Sequence, residues 1–193
     1  AEILELGLSS RFRVYWQDEP WAEVTLAHPG RHNIQNALAA IAVAMQSDIS
    51  PESVIKGLES FGGVGRRMEK KGESEGVLVL DDYGHHPREI DLTLRTVKEV
   101  FGDRRLIVVF QPHRFSRTRD LFADFCRAFT QADLLFLTEV YPASEDPIPG
   151  VNGFTLAQGI RQIDGQEVVF CEDYTVCLRE LQDICVPGDV LLT

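Results

Sequence analysis

The sequence predicts an α/β fold: a Rossmann-like, doubly wound, mainly parallel sheet, preceded by a small β-hairpin and helices. Three observations carry that expectation. Beyond residue 77, apolar runs alternate strictly with amphipathic helical stretches. The runs are almost continuously apolar, as strands are when a parallel sheet is covered on both faces. A glycine-rich break, Phe61-Gly62-Gly63-Val64-Gly65, separates this alternation from a region of different pattern. Repeated βα units with right-handed crossovers then build the sheet, and the break divides the chain into domains at 1–65 and 66–193.

Residues 1–27 read as β, with Phe12–Trp16 and Ala22–Leu26 flanking a turn that contains Asp18, Glu19 and Pro20. Pro29-Gly30 interrupts the chain. From Asn33, apolar residues at Ile34, Leu38, Ile41, Ala42 and Met45 mark one face of a helix. Ser50-Pro51-Glu52 starts a second, short helix through Leu58, with Ser as cap and Pro at the first helical position. After the break, strands are expected at 77–82, 105–110, 133–138, 167–171 and 188–193, and helices near 87–101, 118–131, 154–163 and 173–184. The first of these helices buries Ile90, Leu94, Val97 and Phe101; the second buries Leu121, Phe122, Phe125, Cys126 and Phe129. In such sheets ligands bind outside the carboxyl ends of the strands. The functional edge is therefore the row of loops 81–87, 111–118 and 139–153.

A net charge of −11 argues against general nucleic-acid affinity. Positive charge is local, at Arg66, Arg67, Lys70 and Lys71, then Arg104 and Arg105, then His113, Arg114, Arg117 and Arg119, which suggests an anionic small ligand. The four cysteines, Cys126, Cys171, Cys177 and Cys185, form no CxxC pair and lie in apolar patterns, as buried free thiols do. That suits a reducing cytoplasm. No apolar run is long enough to span a membrane. The chain begins without Met in strand-like material and stops on a strand, so a fragment of a longer protein is expected.

Three constellations could carry chemistry. In His32-Asn33-Ile34-Gln35-Asn36-Ala37, the two Asn are three apart and share a helix face. An Asn amide matches the donor–acceptor edge of adenine; capping by Asn33, with Asn36 merely exposed, is the structural alternative. In Asp81-Asp82-Tyr83-Gly84-His85-His86-Pro87, Asp82 could accept from both hydroxyls of a ribose, and Tyr83, His85 and His86 could orient a polar substrate. Arg66 or Arg67 could reach phosphate or stack on a base. A metal site from His85, His86 and His113 is disfavoured, because adjacent His side chains point apart and zinc spacing is absent. In Gln111–Thr118, His113, Arg114 and Arg117 present cationic donors suited to a carboxylate, and Thr118 could cap the next helix.

The ordered motifs HNIQNA (32–37), GVGRR (63–67), DDYGHHP (81–87), FQPHRFSRT (110–118) and VYPASEDPI (140–148) together resemble the Mur ligases. The resemblance spans nearly the whole chain, with weaker support in 1–27 and 150–193. Within the family it is strongest to the enzyme that joins L-alanine to UDP-N-acetylmuramate. A ligase that attaches a murein tripeptide is similar at 81–87, but 110–118 fits the L-alanine enzyme better. A non-catalytic nucleotide-binding or interaction module is the other alternative.

The resemblance implies three domains, of which residues 1–65 would be the end of the central ATP-binding domain and 66–193 the Rossmann-like carboxyl-terminal domain. The chain departs from the family in having no GxxxxGK[ST] phosphate loop and none of the upstream magnesium ligands. The cofactor implied is ATP with Mg2+, the metal being held outside this stretch. The reaction the resemblance implies is phosphorylation of the muramoyl carboxylate by ATP, then attack of the L-alanine amine on the acyl phosphate, with phosphate leaving. By motif, Asn33, Asn36, Arg67 (with Arg66 as alternative) and Asp82 would contact ATP. Tyr83, His85, His113, Arg114 and Arg117 would bind the amino acid, with His85 and His113 in catalytic roles. Asp81 and His86 receive no role. The expected partners are ATP, UDP-N-acetylmuramate and L-alanine, with neither nucleic acid nor membrane.

Overall fold

The computed structural model describes residues 1–163 and 165–193, which fall into two compact units, Ala1–Gly65 and Arg66–Thr193. The first unit is a three-stranded antiparallel sheet, β1 (Glu2–Leu6), β2 (Ser10–Trp16) and β3 (Glu19–Leu26), followed by α1 (Arg31–Gln46) and α2 (Pro51–Glu59). Gln17 and Asp18 take positive φ, 50° and 66°, in the tight β2–β3 turn. Phe12, Val24, Ile34 and Ile41 are buried in one core between sheet and helices. Ser50 caps α2 as expected, its hydroxyl accepting from the Ser53 N–H at 3.3 Å. Gly30, at φ 95°, is the residue before α1, so Asn33 is not its cap.

The second unit is an α/β fold around a six-stranded sheet ordered β4-β5-β9-β6-β7-β8. Its strands are β4 (Glu69–Ser74), β5 (Val77–Asp81), β6 (Leu106–Phe110), β7 (Leu134–Thr138), β8 (Val168–Cys171) and β9 (Val190–Leu192). Only the β4–β5 pairing is antiparallel; the other pairings are parallel. Leu106, Val108, Leu135 and Leu137 join one core with α3 (Pro87–Phe101), α5 (Phe122–Arg127) and α6 (Gly153–Arg161). The alternate residues Ile107, Leu134 and Phe136 pack with Cys177 and Leu181 of α7 (Tyr174–Ile184) on the other face. Burial on both faces is why these strands read as unbroken apolar runs.

The chain steps outward through β6, β7 and β8, then returns β9 into the gap between β5 and β6. The loops after β5 and β6 therefore leave the carboxyl edge on either side of the end of β9, where Asp82 N–H donates to the Thr193 carbonyl at 2.8 Å.

Several local expectations change. The charged stretch Glu69–Ser74 forms strand β4, although it has no apolar face. It is an edge strand with a bulge between Lys70 and Gly72, and charge is tolerated at an edge. The helix expected at 118–131 is two short ones, α4 (Phe115–Asp120) and α5, broken at Leu121. Thr118 does not cap: it lies inside α4 and its hydroxyl donates back to the Arg114 carbonyl at 2.8 Å. Arg104 and Arg105 hold no ligand-facing position. Arg104 donates to the carbonyls of Gly188 and Asp189, and Arg105 to both carboxylate oxygens of the buried Asp189 at 3.0 and 2.6 Å, fixing the turn into β9. Cys126, Cys171 and Cys177 are buried, the last with its pKa pushed up to about 12 by burial, whereas Cys185 is only half-buried.

Candidate functional site

The loop after β5 is organised by two carboxylates. Asp82 Oδ1 accepts from Gly84 N–H at 2.8 Å and from the Thr93 hydroxyl at 3.3 Å; Oδ2 accepts from Met68 N–H at 2.9 Å. A carboxylate offers about four acceptor sites, so one remains for an outside ligand. That is enough for one ribose hydroxyl rather than two. Glu89 Oε2 accepts from the backbone N–H groups of His85 and His86, both at 3.2 Å. Burial pushes the Glu89 carboxyl up, but those backbone donors outweigh it and hold it below its usual range. His86 Nδ1 accepts from Arg88 N–H at 3.4 Å, completing a capping box on α3 with Pro87 at the first helical position. His86 thus holds the turn. Asp81 faces Arg66 at 3.4 Å and Lys71 at 3.8 Å.

Tyr83 points away from this scaffold, whereas the His85 imidazole stays beside it, with Nδ1 3.6 Å from Glu89 Oε2. Tyr83 is 48% exposed, its ring edge-on to His85 at 5.1 Å, with the Arg66 guanidinium 4.8 Å above it. His85 Nδ1 lies 3.0 Å from the Tyr83 carbonyl, and among the described residues no hydrogen bond engages the other ring nitrogen. Arg67 is half-exposed and only 3.9 Å from Glu89, a weak tether. Of the two arginines, Arg67 is the less committed.

The loop after β6 is held differently. Arg114, before α4, has φ 77° and ψ 132°, a conformation that costs a non-glycine residue about 1–3 kcal/mol. The loop after β7 clamps it: Arg114 N–H donates to the Tyr141 carbonyl and Tyr141 N–H to the Pro112 carbonyl, both at 2.8 Å. The Tyr141 ring stacks on His113 at 5.3 Å. Burial, then the charges of Arg117, Arg114 and His85, lower the His113 pKa below its ordinary 6.5. The imidazole is therefore neutral near pH 7 and able to take a proton. Arg117 Nη1 donates to the His113 carbonyl at 3.3 Å. Among the described residues Arg117 makes no ion pair, so its fork is available to an anion.

In the first unit, Asn33 Nδ2 donates to the Pro29 carbonyl at 2.8 Å, and Asn36 Nδ2 lies 3.5 Å from Asn33 Oδ1. The exposed Asn36 amide keeps an acceptor and a donor free, as an adenine edge requires. Among the described residues no group of three or more His, Cys, Asp or Glu side chains could hold a metal ion.

Two organising residues, Glu89 and Glu145, are absent from the three constellations read in the sequence. Glu89 was legible, since His86-Pro87 with Glu three past the cap is a capping-box spacing. Glu145 was not: it accepts from Ser116 across 29 residues, and nothing local announces the pairing.

The Mur ligase, glutamate ligase domain family matches residues 66–193. A UDP-N-acetylmuramate–L-alanine ligase of Nitratidesulfovibrio vulgaris (strain DP4) is 56% identical over the whole chain, which covers 42% of that relative. The crystal structure of UDP-N-acetylmuramate–alanine ligase from Thermotoga maritima superposes with TM-score 0.77 at 30% identity, over 98% of this chain and 41% of that one. A murein peptide ligase from Psychrobacter arcticus gives 0.68 at 25% identity, over 100% of this chain and 40% of that one. The chain spans less than half the length of these relatives. With the family model matching residues 66–193, this chain belongs to the Mur ligase family.

Proposed function

We propose that the chain is the carboxyl-terminal part of an ADP-forming UDP-N-acetylmuramate–L-alanine ligase of peptidoglycan synthesis, working in the cytoplasm. Residues 1–65 then end its ATP-binding domain and 66–193 form its last domain. Identity of 56% to a relative of that name supports this over the murein peptide ligase, whose structural likeness comes at 25%. Among the described residues no helix is long and apolar enough to cross a membrane.

One observation carries the chemistry: a neutral His113 beside Arg117, a guanidinium without an ion-pair partner among the described residues. An amino acid presents a carboxylate and an ammonium. Arg117 and Arg114 take the carboxylate through the bidentate geometry of a guanidinium. His113 accepts the ammonium proton, releasing the amine as nucleophile. Tyr83 and His85 border the amino acid and hold it in place, so that positioning lowers the barrier. Asn33 and Asn36 read adenine, while Asp82 accepts from one ribose hydroxyl and Arg67 approaches the nucleotide. ATP supplies the phosphoryl group that activates the muramoyl carboxylate. Mg2+ would be held by residues outside this stretch.

The test is ADP release by the full-length enzyme with UDP-N-acetylmuramate and either L-alanine or a murein tripeptide. Dependence on L-alanine is expected. Preference for the tripeptide overturns the reading, as does ATP turnover by residues 1–193 alone.

A further inference from the structure

One carboxylate touching the cationic loop has no part in the reading above. Glu145 lies in the loop after β7, just past Ala143 and Ser144, which both take positive φ, 48° and 69°. Neither is glycine, so this turn is held against its preference. It closes through Glu145 N–H to the Pro142 carbonyl at 3.0 Å and aims the carboxylate at the start of α4. There Oε2 accepts from Ser116 N–H at 2.9 Å and Oε1 from the Ser116 hydroxyl at 2.6 Å. Oε1 also stands 3.8 Å from Arg114 Nη1. The Ser116 hydroxyl, then its N–H, hold the Glu145 carboxyl below its usual range, so it is charged at neutral pH.

This arrangement is poor value as stabilisation. The Arg114 side chain is half-exposed and the pair is long, and such pairs add little. Yet three residues in strained conformations, Arg114, Ala143 and Ser144, surround it. Strain that persists around a weak contact points to positioning. A guanidinium has more than one donor edge. With one side drawn to Glu145, the rest of the Arg114 fork keeps donors open to a ligand. Arg117 has no such anchor among the described residues.

We infer that Glu145 is a positioning residue for amino-acid binding: its carboxylate, fixed by Ser116, orients the Arg114 guanidinium toward the substrate carboxylate. The inference rests on the amino-acid site proposed above.

The experiment is steady-state kinetics of the full-length ligase with L-alanine and ATP varied separately. Glu145→Gln keeps an oxygen for Ser116 but loses the charge. It should raise the KM for L-alanine at least fivefold and leave the KM for ATP within twofold. Glu145→Asp, which keeps the charge, should recover most of the loss. On an Arg114→Ala background, Glu145→Gln should add less than a further twofold in kcat/KM for L-alanine. An unchanged alanine KM in Glu145→Gln overturns the inference. So does an equal rise in both KM values, or a full Glu145→Gln effect on the Arg114→Ala background. The two readings fail separately. A wild-type enzyme without L-alanine-dependent ADP release overturns the function, whereas an active wild type with an indifferent Glu145→Gln overturns only the role of Glu145.

Discussion

The loops after β5 and β6 leave the same sheet edge with similar polar content, yet they use it in opposite ways. After β5, Asp82, His86 and Glu89 turn inward and satisfy backbone N–H groups of Met68, Gly84, His85, His86 and Arg88. Tyr83 is left as the outward group, with the His85 ring edge-on beside it. After β6, Arg114 is half-exposed, Arg117 makes no ion pair among the described residues and His113 is half-buried against the Tyr141 ring, while the backbone is secured by the neighbouring loop through Tyr141 and Glu145. A polar side chain that already caps its own loop is mainly architecture. One that is held in place without being satisfied is available to a ligand. The contrast follows from the cost of an unpaired buried polar group, which an inward side chain removes and an outward one does not address.

Substitutions can break or sharpen that contrast. The largest effect is expected from Arg117→Ala in the full-length enzyme. It should lower kcat/KM for L-alanine about 100-fold, the worth of a charge-assisted bond at a substrate carboxylate. Thermal and urea unfolding should stay within about 0.5 kcal/mol of wild type. A comparable loss of stability would place Arg117 among the architectural groups. Asp82→Ala should behave the other way. It strips an acceptor from Met68 N–H, Gly84 N–H and the Thr93 hydroxyl, and urea denaturation should show a loss of about 2–3 kcal/mol. A stable Asp82→Ala variant with only a raised KM for ATP would make Asp82 a pure ligand contact. Arg114→Gly should be neutral or stabilise by about 1 kcal/mol, because glycine accepts φ 77°, while utilisation of L-alanine collapses. A clear destabilisation would show that the side chain, not the clamp from the β7 loop, holds the turn.

The smallest effect concerns pH. The folded-state pKa of His113 is lowered, first by burial and then by Arg117, Arg114 and His85. A cationic group with a depressed folded value favours folding when neutral. Its contribution is complete above the ordinary value of 6.5 and is lost as pH falls below that through the folded value. Glu89 and Glu145, ordinarily near 4.5 and held lower, lose their contributions only in more acid solution. Unfolding free energy measured between about pH 7.5 and 5 should therefore fall less in His113→Asn than in wild type. Identical slopes would leave His113 without a linked contribution.

The strands and their alternation with helices were legible because burial on both faces writes itself into residues that are neighbours in sequence. So were the caps at Ser50 and the run of apolar residues on α3. Strand β4 was not, since an edge strand needs no apolar face and Glu69–Ser74 has none. Nor was the split of α4 from α5 at Leu121, where φ −112° and ψ 21° break the helix without a glycine or proline to announce it. In the site, the loop motifs singled out the polar residues of the loops after β5 and β6. They left unresolved which carboxylate is occupied, which arginine is free and which loop braces the other.

By itself, then, the sequence determined the fold class, the placing of polar loops at one sheet edge and the family. Each rests on periodicity or on short contiguous motifs, which the chain carries locally. Only the tertiary structure decided that Asp82 is nearly saturated, that His86 caps α3, that Arg104 and Arg105 belong to the turn into β9, and that Glu145 braces Ser116 and Arg114. The occupants of Asp82 reach it from 14, 11 and 2 residues away, and Glu145 meets Ser116 across 29. A hydrogen-bonding side chain has the same chemistry whether its partner is a substrate or a backbone amide. Folding settles which of the two it meets first.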